Sequence, residues 1–121
     1  MDWPKMRDGN ISYNIPTELV VGGQHIDVHI VDRLSSDLLG VCLLASGYIK
    51  IAKTTTDGEE QSVTSMENTF FHELVHLILD TMGETELSTN EKFVSTFASF
   101  LYEAIKSFKY DKNEQEITSG I

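Results

Sequence analysis

The stretch Phe70-Phe71-His72-Glu73-Leu74-Val75-His76-Leu77-Ile78-Leu79 limits the fold of this 121-residue chain more than any other. Read as a helix, it is apolar around most of its circumference, so it must be buried on several sides at once. His72 and His76 interrupt that apolar surface. Four residues apart, they stack on one helical face. Two imidazoles on a buried face need a polar partner, and a metal ion supplies one. Their spacing suits two corners of a tetrahedral zinc site, with Glu73 beside them placed to act on water instead of binding the ion.

The surrounding residues give this helix its ends. Thr64 and Glu67 have capping-box spacing and predict a start near Thr64, while Gly83 predicts a left-handed stop after Met82. Glu84 to Thr89 leaves room only for a short connection, so the next helix, expected over Ser88–Phe108, must fold back antiparallel. Phe93, Phe97, Phe100, Leu101, Ala104, Ile105 and Phe108 recur at helical spacing and are expected in the core.

Upstream the period changes to two. Glu18-Leu19-Val20-Val21 meets Gly22-Gly23, a hairpin turn, and His25 to Val31 alternates, with Ile26, Val28 and Ile30 inward. His25 and His29 share the solvent side about 13 Å apart, too far for one ion, and read as surface residues. Further strands are expected around Leu39–Ala45 and over Tyr48–Thr54, joined at Ser46-Gly47; lysines on the second predict an edge strand. The fold class is therefore α+β: an antiparallel or mixed sheet of three to four strands packed on two antiparallel helices. The chain reads as a single domain, with residues 1–16 as an N-terminal arm that Trp3 can pin and residues 109–121 as a flexible tail.

Charge and cysteine usage narrow the partners. Nine basic against nineteen acidic residues leave a net charge of -10, which repels phosphate backbones and argues against nucleic acid. The single cysteine, Cys42, excludes an internal disulfide, fits a reducing compartment, and sits in an apolar run as a buried small hydrophobe. No basic-then-apolar leader and no run of membrane-spanning length is read, so a soluble, cytoplasmic protein is expected.

A catalytic zinc needs a third protein ligand. Asp80 continues the histidine series but lies about 12 Å along the helix from His72, which leaves it, like Asn68, a role orienting a histidine. No histidine follows His76, so the third ligand is a downstream carboxylate. Glu91 is the first candidate, with Glu84 and Glu86 as substitutes. Ser88 and Glu91 also have capping-box spacing, which would make Glu91 a cap instead.

His72-Glu73-x-x-His76 followed by Glu91-x-x-Val94-x-x-Phe97-Ala98-x-x-Leu101 resembles the gluzincin pattern of the ImmA/IrrE-type metallopeptidases. The layout is closer still to small His-Glu-x-x-His proteins of phages and prophages, through Gly22-Gly23, Val31-Asp32, Thr69-Phe70-Phe71-His72 and Asn90-Glu91-Lys92-Phe93-Val94. The chain departs from the ImmA/IrrE pattern at Val75 and Val94, where glycine and alanine are common, and in having no Leu-Met-Pro after the second helix. The resemblance implies a zincin-like fold, zinc held by His72, His76 and Glu91, catalysis by Glu73, and a peptide or protein substrate. Tyr48 and Tyr102 are the candidate oxyanion donors. The competing expectation is a regulatory or interaction protein that keeps the metal site without peptidase activity.

Overall fold

The computed structural model describes residues 15–35 and 37–111. The arm and tail expected from sequence lie outside these, Trp3 included, apart from Ile15 and Pro16 and residues 109–111. Ile15 belongs to the body, since it is buried in the core cluster.

Strands β1 (Glu18–Val21) and β2 (Gln24–Val31) form the expected hairpin. Its turn needs left-handed backbone at both central residues, and Gly22 and Gly23 supply φ values of 57° and 83°. A side chain at Gly22 would also collide with Thr81, so the turn packs directly on the long helix. Along β2, Ile26 and Val28 point into the core while His25, Asp27 and His29 face solvent.

β3 (Gly40–Leu43) and β4 (Tyr48–Ala52) form a second antiparallel pair, turning at Gly47. The sheet order is β1-β2-β4-β3, with β4 parallel to β2. This corrects the expected edge: β4 is a central strand, and β1 and β3 are the edges. Lysine misled because this sheet has one solvated face, and a central strand carries Lys50 there while burying Ile49 and Ile51 on the other.

Helix α1 (Val63–Met82) covers the buried face of the sheet. Its cap is Ser62, whose Oγ accepts from the Ser65 N–H at 3.0 Å, and it ends at Gly83 with φ 80°. The predicted Thr64/Glu67 capping box does not form, because Glu67 turns inward. It is 1 % exposed and accepts from the Tyr102 hydroxyl at 2.5 Å and from Lys106 Nζ at 3.2 Å. That cluster joins the start of α1 to the end of α3.

After α1 the chain makes a one-turn helix, α2 (Thr85–Ser88), and then α3 (Glu91–Lys106), in place of one helix from Ser88. α3 runs antiparallel to α1: Glu67 meets Tyr102 and Lys106, while His72 and His76 meet Glu91. It buries Val94, Ala98 and Tyr102 against α1. The aromatic residues expected in the core divide differently. Phe97, Phe100 and Phe108 are about half exposed or more, since α3 is the outer layer and only one of its faces has a partner. Among the described residues, no helix is long and apolar enough to cross a membrane.

Candidate metal centre

His72 and His76 project from one face of α1 with ring centroids 4.9 Å apart. Glu91 begins α3 directly opposite them. Its Oε1 lies 3.2 Å from His72 Nε2 and its Oε2 lies 3.3 Å from His76 Nε2. Ligands on a tetrahedral ion with bonds of 2.0–2.1 Å stand about 3.4 Å apart, so a carboxylate at these separations fits the same ion as the imidazoles. The three ligating atoms all lie within 4.8 Å of one another. Two imidazole nitrogens and one carboxylate oxygen form a donor set suited to zinc, with one position left over.

Glu91 is available for this because the cap is its neighbour. Asn90 Oδ1 accepts from the Phe93 N–H at 3.0 Å, so the capping alternative for Glu91 does not apply. Glu84 and Glu86 are exposed on the α1–α3 connection and do not join the group.

The group that orients His76 is one the sequence reading passed over. In the tautomer that leaves Nε2 open to an ion, the Nδ1–H of His76 donates to Ser88 Oγ at 3.1 Å. Ser88 is buried at the end of α2, which explains the short helical turn between the long helices. Asp80, considered for this role, is an exposed residue lining the trough beside the site, and Asn68 lines the same trough. The local signal for Ser88 was its capping-box spacing to Glu91, which pointed to the wrong function.

Glu73 lines the same trough as the two imidazoles and is 8 % exposed. Burial raises its carboxyl above the usual glutamate value. The neighbouring Cys42 thiol and the two imidazoles oppose that rise, and the Glu91 charge adds to it. Burial and the charge of Glu73 push the Cys42 thiol far above its ordinary range, so it stays protonated as a donor and is a poor nucleophile.

An open trough of about 1170 Å³ runs past the centre between β3 on one side and α2 and α3 on the other. Leu38, Leu39 and the small hydroxyl residues Ser62, Thr64, Ser65, Ser95 and Ser99 line it, with acids Asp37, Glu73, Asp80 and Glu91 and, among the described residues, no lysine or arginine. Neither tyrosine considered as an oxyanion donor reaches the trough: Tyr102 is engaged with Glu67, and Tyr48 starts the central strand under Lys50.

A second set of metal-competent groups lies on the outer sheet face, where His25 Nε2 is 3.2 Å from Glu18 and 2.9 Å from Asp27. All three side chains are more than half exposed and bond one another, which accounts for them as a surface ion-pair cluster. Compared with protein-family models, curated proteins and solved structures, the chain matches none of the three.

Proposed function

We propose that this protein is a zinc-dependent metallopeptidase of the gluzincin type, with His72, His76 and Glu91 as metal ligands and Glu73 as general base. The observation that carries the reading is the meeting of Glu91 with both Nε2 atoms across two helices, beside a buried glutamate. Kinship with the ImmA/IrrE-type enzymes rests on the motif residues alone. A lone protonated thiol suits a cytoplasmic setting.

Zinc held by His72, His76 and Glu91 would supply a Lewis acid able to polarise the scissile carbonyl and to lower the pKa of water to about 7. Glu73 takes the proton of the attacking water and returns it to the departing amine nitrogen. Ser88 holds the His76 ring through Nδ1, which leaves Nε2 free to bind an ion.

The edge strand offers the substrate its backbone. Leu39 accepts from the Ala52 N–H at 2.9 Å, so the odd residues of β3 spend their backbone groups on β4. By the alternation of an antiparallel ladder, Gly40 and Cys42 turn theirs to the open edge. An extended peptide pairing there would run along the trough past Glu73. Elemental analysis joined to turnover of an unstructured protein tests the proposal. Glu73→Gln should retain zinc and lose cleavage; a Glu73→Gln protein that cleaves as fast as the parent refutes Glu73 as the base. Zinc binding without any turnover would leave the non-catalytic interaction protein instead.

A further inference from the structure

The side of β3 that faces α1 comes unusually close to Glu73 at one residue. Gly40 has no positive φ to account for it, so its reason is space. A Cβ built there would lie 2.5 Å from Thr69 Cγ2, 3.1 Å from Glu73 Cγ and 3.2 Å from Glu73 Oε2. Thr69 and Glu73 are one turn apart on the same helical face, so any side chain at position 40 must push the strand away or displace the carboxylate. Two residues on, on the same face of the strand, Cys42 lines the same trough as Glu73, and the two groups perturb one another's ionisation.

We propose that Gly40 and Cys42 are positioning residues for Glu73. The bare backbone at Gly40 closes over the glutamate side chain and the Cys42 thiol donates to its carboxylate, which together hold it toward His72 and His76. This inference rests on the peptidase reading and extends it. Since Gly40 and Cys42 are also the residues whose backbone groups face the open edge, the register of a paired substrate is tied to the position of the base within one strand. A slip of β3 by one residue would lose both contacts. Valine or leucine at position 42 would fill the same apolar space but offer no proton to the carboxylate.

Two measurements on the full chain test it. With one cysteine in the sequence, the infrared S–H stretch is a single assignable band. It should lie at the low frequency of a thiol bonded to a carboxylate and rise in both Glu73→Ala and Glu73→Gln, with or without zinc. A band that neither variant moves overturns the contact. The second measurement is kinetic, on the zinc-loaded enzyme with a peptide substrate. Cys42→Ala should lower kcat about tenfold with KM and zinc affinity unchanged, and Cys42→Ser, which keeps a donor, should restore most of it. Gly40→Ala should lower kcat by roughly a hundredfold, the cost of a misplacement near 1 Å. Equal loss in the serine and alanine variants, or no loss in either, overturns the role. A parent protein that binds zinc yet cleaves nothing overturns the peptidase reading alone, and the hold on Glu73 is then judged by the infrared band, which needs no turnover.

Discussion

Removing the Glu91 carboxylate is the sharpest test of the centre, because the energetics of the bound and unbound states separate cleanly. Without metal, Glu91 is a mostly exposed residue in the first turn of α3, where an acid gains from the helix dipole by about 1 kcal/mol at most. Glu91→Ala should therefore melt within a few degrees of the parent in chelator. With metal the two must diverge. At free zinc 100-fold above its dissociation constant, binding stabilises the folded chain by about 2.7 kcal/mol. For about 100 folded residues the unfolding entropy is roughly 0.2 kcal/mol/K, so zinc should raise the parent's Tm by about 13 °C. Even the loss of an indirect partner of a metal ligand weakens binding by up to about 100-fold, so losing a ligand should weaken it at least as much. At the same free zinc the variant then keeps about 0.4 kcal/mol, or about 2 °C. Calorimetry with buffered zinc measures both shifts. His25→Ala belongs in the set, since the exposed Glu18–His25–Asp27 cluster is the competing site, and it should leave the shift intact. A Glu91→Ala protein that gains as much from zinc as the parent would place the ion elsewhere. A parent that zinc leaves unmoved would remove the centre.

Ser88→Ala should cost roughly 10- to 100-fold in zinc affinity by competition titration while leaving the metal-free Tm nearly unchanged, because the hydroxyl fixes one imidazole tautomer. Tyr102→Phe removes a hydrogen bond to the buried Glu67 and should lower unfolding free energy by about 1.5 kcal/mol in urea, without touching zinc affinity. The same cluster sets an alkaline limit. Burial and the bond to Glu67 raise the Tyr102 pKa, and the bond to Glu67 raises that of Lys106, so both hold protons more tightly folded than unfolded. Their stabilisation is complete below about pH 10 and falls as pH rises through the folded values, a loss that Tyr102→Phe should lessen in alkaline melts. With Asp37, Asp80 and Glu91 lining the trough and no lysine or arginine among its described lining residues, each lysine or arginine added to a peptide should lower KM by up to about fivefold at low salt, and glutamate should raise it.

Much of this protein was legible before folding, where one local rule decided each element. The paired glycines 22 and 23 specified their turn, the alternation of Ile26 and Val28 specified which face of β2 is buried, and Gly83 ended α1. His72 and His76 share a face by helical geometry alone. What failed were positions where two rules competed and long-range packing chose. Thr64/Glu67 and Ser88/Glu91 both had capping spacing, yet Ser62 and Asn90 cap the helices. Glu67 is drawn into the core by Tyr102 and Lys106, Glu91 faces the imidazoles, and Ser88 meets His76. Lys50 and Lys53 suggested an edge strand, but strand order depends on which neighbour a crossover reaches, and side-chain alternation carries no information about that. The phenylalanines of α3 had core spacing, but whether a helix has one packed face or two is settled only by the layers around it. Spacing along the chain therefore assigns the two histidines to one helix face, with Glu73 beside them. Bringing Glu91 across from α3, and Gly40 and Cys42 across from β3, belongs to tertiary structure, because contacts between residues tens of positions apart leave no period in the sequence.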